Sequence, residues 1–147
     1  MLEAVGEAYW PSFFRTLRDR LAPGGIAVLQ VITIAEDRFV TYRRSADFIQ
    51  RHIFPGGMLP TPRILHEQAR AAGLRLDHEH RFGASYARTL ADWHDRFAQA
   101  LPDIARLGLD ERFRRLWRYY LAYCEGGFRA GAIDVGLYRL RLAEDAR

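Results

Sequence analysis

"GGIAVLQVITI", residues 24–34, is the most apolar run in the chain, and it carries a glutamine, Gln30, in its middle. A run of this length that is rich in β-branched residues predicts a buried strand. On a period of two, one face of that strand carries Ile26, Val28, Gln30, Ile32 and Ile34. Because a buried amide without hydrogen-bond partners costs about 1–3 kcal/mol, we expect Gln30 to lie towards the carboxyl end of the strand, close to a polar group.

Helical patterns flank this strand on both sides. Apolar residues at helical spacing predict a helix over 11–21, which the "APGG" segment at 22–25 ends. After the strand, Thr61 can cap a helix that begins at Pro62, and Gly73 lies just past its end. The alternation of helix and strand predicts an α/β sheet.

The second half of the chain continues this alternation. An alternating segment at 74–82 predicts a strand with one shared face, made of Leu74, Leu76, His78, His80 and Phe82. Two further helices and a closing strand are predicted around 87–100, 111–124 and 132–142. We expect Asp110 to cap the second of these helices and Gly126-Gly127 to end it.

Composition limits the class of protein. The chain has 147 residues, enough for one domain. All 22 basic residues are arginine, and the net charge of +4 favours an anionic partner. The only cysteine is Cys124, so no internal disulfide can form and a cytosolic setting is the simplest expectation. No apolar stretch reaches the roughly 18 residues that a membrane-spanning helix needs.

Three segments have more than one reading. The apolar loop "RHIFPGGMLPTP", 51–62, either shapes a binding site or packs onto its own core. His78 and His80 have a spacing that can hold a metal, but no third ligand is evident, so we expect a strand face and no metal. "ERFRRLWRYYLAYC", 111–124, mixes arginine with aromatic residues, as RNA-binding and membrane-binding surfaces do, and also has the pattern of an amphipathic core helix that buries an inert Cys124 thiol.

Several stretches together resemble one protein family. These are "MLEAVGEAYWPSFFRTLRDRLAPGG", "LQVITI", "FIQRHIFPGGMLP", "FGASYARTLADWHDRF" and "RFRRLWRYYLAYCEGGFRAGAIDVGLYRL". In this order they are similar to the C-terminal half of cyclopropane-fatty-acyl-phospholipid synthases and mycolic acid cyclopropane synthases. The resemblance implies an α/β fold: the C-terminal part of a Rossmann-like class I methyltransferase sheet with inserted helices. It also implies methyl transfer from S-adenosylmethionine to the double bond of an unsaturated phospholipid acyl chain, followed by ring closure.

The resemblance also implies a catalytic site. Family members hold a bicarbonate ion that is thought to accept the proton, and the matching positions here are Glu3, the backbone of Ile32, and Tyr86. Gln30 replaces the family's histidine and cannot titrate near neutral pH. A second interpretation is therefore a family member that methylates the acyl chain without closing the ring. The family's site cysteine has no counterpart, and Cys124 does not correspond to it.

The main S-adenosylmethionine site of the family matches positions before Met1. We therefore expect residues 1–147 to be a single domain, the C-terminal portion of a methyltransferase without its cofactor-binding half, inactive alone. The apolar edge of the strand at 26–34 then predicts self-association.

The partners expected from this resemblance are unsaturated phospholipid acyl chains and an anionic membrane surface, with no nucleic acid. The expected location is the cytoplasm, with peripheral contact at the inner face of the membrane. Two other functions stay open: a non-catalytic module that binds anionic membranes, and an arginine-rich RNA-binding domain.

Overall fold

The apolar stretch forms a strand, as predicted, in a computed structural model that describes residues 1–143. Two short 3-10 turns, Leu2–Ala4 and Glu7–Tyr9, precede the regular elements. In chain order these are α1 (Trp10–Arg20), β1 (Ala27–Ile34), α2 (Glu36–Arg44), α3 (Phe48–His52), α4 (Pro62–Ala71), β2 (Leu74–Arg81), α5 (Gly83–Gln99), α6 (Leu101–Arg106), α7 (Glu111–Arg129) and β3 (Ile133–Leu142). The predicted α/β class is confirmed.

These elements fall into two units, each described by itself. The first, the sheet unit, comprises residues 1–81 and 134–143, and the second, the helical unit, comprises residues 82–133. The interpretation of the chain as a single domain stays a prediction. None of the helices formed by residues 1–143 is long and apolar enough to cross a membrane.

The sheet has the strand order β1-β3-β2. Strands β2 and β3 are antiparallel, and their paired residues run from Leu74 with Leu142 to Arg81 with Gly136. Within the described residues β1 is therefore an edge strand, so one side of its backbone has no neighbouring strand.

A β-bulge at Asp77 divides strand β2 into two parts. Leu76 pairs with Leu140, but His78 pairs with Arg139, so Asp77 is an extra residue on β2. The expected common face of residues 74–82 is therefore wrong: one extra residue turns His78 away from the buried side that Leu76 occupies. The bulge places the Asp77 carboxylate 2.7 Å from Arg139 Nε and 3.0 Å from Arg141 Nε, and the hydrogen bond from Arg139 lowers the pKa of Asp77.

Helices α1 and α4 supply the core of the sheet unit. Pro11 in the first turn of α1 and the Thr61 hydroxyl, which accepts from the Ile64 N–H at 3.2 Å, start these helices as the sequence predicts. Their apolar faces pack on the sheet, and the buried cluster comprises Leu2, Trp10, Phe14, Val31, Leu65, Ala69, Ala72, Leu74, Tyr138 and Leu140. Full burial of a leucine, valine or phenylalanine side chain in this cluster stabilises the fold by about 1.5–3 kcal/mol.

In the helical unit, α5 and α7 pack against each other, and Ala87 and Leu90 of α5 and Leu121 and Phe128 of α7 are buried. The prediction that Gly126-Gly127 ends the last helix is wrong, because α7 continues to Arg129. A Cβ at Gly127 would lie 3.1 Å from the Ile133 side chain. Gly127 therefore lets the returning chain approach α7, and the left-handed residue that follows the helix is Gly131.

Candidate functional site

Glu3 lies in the first 3-10 turn and reaches the carboxyl end of β1. Its side chain is only 19% exposed, and its Oε1 atom accepts a hydrogen bond of 2.7 Å from the backbone N–H of Ile32. Its Oε2 atom lies 3.0 Å from the amino group of Met1. A carboxylate held by a backbone donor makes a strong, charge-assisted hydrogen bond, so the negative charge of Glu3 has a fixed position.

The Pro-Gly loop, residues 53–61, holds Glu3 from a second side. The N–H of Met58 donates to the Glu3 carbonyl at 2.8 Å, and the N–H of Ile34 donates to the Pro60 carbonyl at 3.0 Å. A Cβ at Gly6 would lie 3.0 Å from the Gly56 carbonyl. Glycine therefore permits the close approach of this loop to the segment that carries Glu3. The prediction that this loop packs onto its own unit is confirmed, and its role in shaping a binding site stays a prediction.

Two side chains that sequence analysis missed support the Pro-Gly loop. The Tyr42 hydroxyl accepts from the Leu59 N–H at 3.3 Å, and burial raises the pKa of Tyr42 to about 12. Gln50 forms a capping box with Asp47 at the start of α3, and its Nε2 donates to the Gly57 carbonyl at 2.9 Å. The Asp-x-x-Gln pattern at 47–50 was the sequence signal that could have located α3.

Gln30 lies two residues before Ile32 on β1, and its side chain is exposed. Its neighbours on the same face, Ile26 and Val28, are 49% and 57% exposed. The prediction of a strand that is buried along its whole length is therefore wrong, because the start of that face lacks a covering element within residues 1–143. In the part of the chain that the structure describes, the Gln30 amide has no hydrogen-bond partner, so it is available to a ligand.

Tyr86 lies in the first turn of α5, in the helical unit, and is half-buried. Its ring centroid is 5.2 Å from that of Phe128 and 6.3 Å from that of Trp93. These aromatic contacts fix the ring within its own unit. The structure thus brings Glu3 and the Ile32 backbone into direct contact, places Gln30 beside them on β1, and describes Tyr86 separately.

Two further features bear on where chemistry could occur: groups of metal-ligating side chains and an open groove. No group of three His, Cys, Asp or Glu side chains within residues 1–143 is arranged to hold a metal ion. An open groove of about 740 Å³ lies in the sheet unit, lined by Glu7, Ala8, Trp10, Pro11, Phe39, Arg43, Arg63, Ile64, Glu67 and Gln68. This lining includes none of the four predicted site residues, and the 2.8 Å ion pair between Glu7 and Arg43 joins two of its walls.

The prediction of an amphipathic core helix at 111–124, within α7, is confirmed. Leu121 and Phe128 of α7 are buried, and the half-buried side chains of Phe113, Trp117 and Cys124 lie on the same side of the helix. Burial is also the main reason that the pKa of Tyr120, next to Cys124, is raised to about 12. The opposite side carries exposed arginines and tyrosines.

Comparison with known proteins relates this geometry to one family. A family model described as mycolic acid cyclopropane synthetase matches residues 1–137. The chain is 43% identical over 136 residues to the tuberculostearic acid methyltransferase UfaA1 of Mycobacterium tuberculosis, a match that covers 92% of this chain and 32% of that protein. It is 36% identical over 135 residues to the cyclopropane-fatty-acyl-phospholipid synthase of Escherichia coli, a match that covers 92% of this chain and 34% of that protein.

A solved structure supports the same relationship. The mycolic acid cyclopropane synthase CmaA1, complexed with SAH and CTAB, superposes with a TM-score of 0.82 and 30% identity, over 95% of this chain and 52% of that one. The predicted Rossmann-like class I methyltransferase fold is thus confirmed. The chain spans about a third of the length of the curated relatives it matches and about half of the solved structure.

Proposed function

This chain belongs to the mycolic acid cyclopropane synthetase family, and we propose that it forms the acyl-chain side of an S-adenosylmethionine-dependent methyltransferase acting on unsaturated phospholipids. The observation that carries this proposal is the Glu3 carboxylate, held by the Ile32 N–H at the carboxyl end of β1. In open α/β sheets, ligands bind at the carboxyl ends of the strands. A fixed negative charge there suits a reaction that develops positive charge on its substrate.

S-adenosylmethionine, when bound, supplies the methyl group that adds to one carbon of the double bond. Among residues 1–143 no glycine-rich loop joins a strand to a helix, so the proposal assigns the main cofactor contacts to the part of the relatives that this chain does not span. We expect the 147-residue chain alone not to bind the cofactor at micromolar concentrations. Calorimetric titration measures this binding directly, and micromolar affinity would contradict the assignment.

In this proposal Glu3 stabilises positive charge on the substrate. Gln30 donates a hydrogen bond to a bound anion. The Glu3 carboxylate stabilises the positive charge that the acyl chain carries after methylation. The exposed Gln30 amide can donate to a small oxyanion such as bicarbonate, and the Glu3 carboxylate can accept from its hydroxyl group, so these two residues fit that ion. Such an ion would accept the proton that the substrate loses, since the Gln30 amide does not titrate.

The identity of residue 30 bears on the product. Loss of a proton from the methylated chain gives a cyclopropane when the ring closes and an unsaturated branch when it does not. The names of the two relatives include a methyltransferase and a cyclopropane-fatty-acyl-phospholipid synthase. Methylation without ring closure is therefore the second candidate function, favoured by glutamine at position 30.

The proposed partners are unsaturated phospholipid acyl chains and an anionic membrane, and the proposed location is the cytoplasm at the inner face of the membrane. The net charge of +4 supports an anionic surface as the partner.

A chimera tests the function. In it, residues 1–136 replace the matched third of the Escherichia coli synthase. We expect Glu3→Gln and Tyr86→Phe each to lower turnover on an unsaturated phospholipid by about 10²-fold, the lower range for positioned proton-transfer groups. Glu67→Gln, at an exposed helix position, is the matched control and should retain turnover. Parent-like turnover of both site variants would show that the site is assigned wrongly.

A further inference from the structure

One side of α7 carries a surface that the proposed reaction does not use. Arg112, Arg115, Tyr119 and Tyr123 recur at spacings of three and four residues and are exposed. They lie opposite the buried Leu121, which packs in the helical unit. We call these four residues the α7 outer face. With 19 residues, α7 offers a strip about 28 Å long.

The charge along this helix is unbalanced. From residue 112 to residue 124 there are four arginines and no aspartate or glutamate. Within residues 1–143 the structure records no ion pair for Arg112, Arg114 or Arg118, and the contact of Arg115 with Glu111 is 3.6 Å long between side chains that are both 73% exposed. The exposed guanidinium groups of Arg112, Arg115 and Arg118 are therefore available to external phosphate groups, which they can bind in a bidentate manner.

Exposed apolar and aromatic side chains accompany these arginines. Tyr119 and Tyr123 are 54% and 41% exposed, and their rings stack with centroids 5.9 Å apart. Immediately before α7, Leu107 and Leu109 are 78% and 38% exposed on either side of Gly108, whose φ of 80° makes a tight turn. Tyrosine is favoured at membrane–water interfaces, and leucines on a tight turn can enter the headgroup boundary.

We propose that the α7 outer face, with the exposed Arg118 at its margin and the Leu107–Leu109 turn, is the surface by which this protein docks on an anionic phospholipid bilayer. This inference rests on the proposed function, since a phospholipid substrate requires the protein to reach a membrane. The combination of exposed arginines with exposed leucines separates this surface from a nucleic-acid interface, because a nucleic acid offers phosphates but no apolar phase for leucine.

Vesicle flotation in a density gradient tests the surface, because floated vesicles separate bound protein from aggregates. The 147-residue chain should float with vesicles of phosphatidylglycerol and phosphatidylcholine in equal parts, and should stay at the bottom with pure phosphatidylcholine. Higher salt should reduce flotation, since the attraction between arginine and lipid is screened.

Two triple variants with the same charge identify the surface. Arg112→Gln/Arg115→Gln/Arg118→Gln should weaken binding on the order of 100-fold, since each arginine near the membrane contributes about fivefold. The control carries Arg15→Gln/Arg20→Gln/Arg44→Gln, which changes exposed arginines of α1 and α2 to the same net charge. It should bind within about fivefold of the parent. Leu107→Ser/Leu109→Ser should also weaken binding, with an unchanged circular dichroism spectrum.

The outcomes are distinct. Equal losses of vesicle binding in both triple variants would refute the proposed docking surface, because net charge alone would then explain binding. Flotation with neither vesicle, together with arginine-dependent binding of a single-stranded RNA oligonucleotide, would overturn it in favour of RNA. Flotation of the 147-residue chain needs no turnover, so failure of the turnover test in the chimera would refute the proposed function and leave this surface standing.

Discussion

The open edge of β1 is built differently at its two ends. At the carboxyl end, the N–H groups of Ile32 and Ile34 are bonded by the Glu3 carboxylate and the Pro60 carbonyl, and Ile34 is 7% exposed. At the start of the strand, about half of the surface of Ile26 and Val28 is exposed. The N–H groups at the end beside the candidate site are therefore satisfied by residues 1–143, whereas the start presents apolar surface that a further strand or a second copy can cover.

Removal of the Glu3 carboxylate tests the completed end most directly. Glu3→Ala should lower the free energy of unfolding by about 2–3 kcal/mol, because the Ile32 N–H loses a charged acceptor. Gln30→Ala, at the exposed position two residues before Ile32, should change the free energy of unfolding by less than about 0.5 kcal/mol. Urea denaturation of both variants measures the difference, and equal effects would remove the contrast between these positions.

The start of the edge should control association. Ile26→Thr/Val28→Thr should weaken self-association roughly thirtyfold, about 2 kcal/mol, because the exposed half of each side chain is no longer buried between copies. Sedimentation velocity over a range of concentrations gives the dissociation constant. The matched control is Val40→Thr, also 57% exposed but on α2, and it should associate as the parent does.

Residue 30 lies between the two ends of the strand. Its substitution tests whether the side chain serves the site or the stability of the fold. In the chimera, Gln30→Leu should lower turnover about tenfold, since an anion in the site loses one donor, with little change in stability. Gln30→His should fold normally and keep a donor at this position. A large loss of stability in Gln30→Leu, with unchanged turnover per folded molecule, would show that Gln30 is structural.

The smallest effect is expected at Tyr42, which holds the Pro-Gly loop. Tyr42→Phe should cost about 1 kcal/mol at neutral pH, because the Leu59 N–H loses its acceptor. Burial raises the pKa of folded Tyr42 to about 12, above its ordinary value near 10. Its stabilising contribution is therefore complete below pH 10 and is lost as the pH rises towards 12. Denaturation between pH 9 and 12 should show a shallower loss in Tyr42→Phe.

The regular elements with strong local signals could be predicted from the sequence. The β1 strand and the Thr61-Pro62 start of α4 follow from residues next to one another in the chain. The bulge at Asp77 could not be predicted, because it depends on arginines of β3 about sixty residues later. The continuation of α7 past Gly126-Gly127 could not be predicted either, because glycine is common at helix ends, and the closeness of Gly127 to Ile133 is evident only in the folded chain.

Candidate site residues could be named from the sequence, but their geometry could not be predicted. The family resemblance named Glu3, Gln30, Ile32 and Tyr86, and their roles stay predictions. No spacing in the sequence indicates that the Glu3 carboxylate bonds to a backbone group 29 positions away. The exposure of Gln30 could not be predicted, because an apolar run predicts a strand that is covered on both faces.

The pairing of Arg81 with Gly136 has a consequence for how the chain is assembled. Residues 82–133, which lie between these two positions, leave β2 and return to β3 at neighbouring points, so topologically they are a long insertion in a β-hairpin. Loop-closure entropy grows only slowly with loop length, so lengthening such an insertion adds little to the cost of pairing β2 with β3. Folding of this sheet can therefore tolerate changes in the size of its helical insertion, provided that the insertion keeps its two ends adjacent.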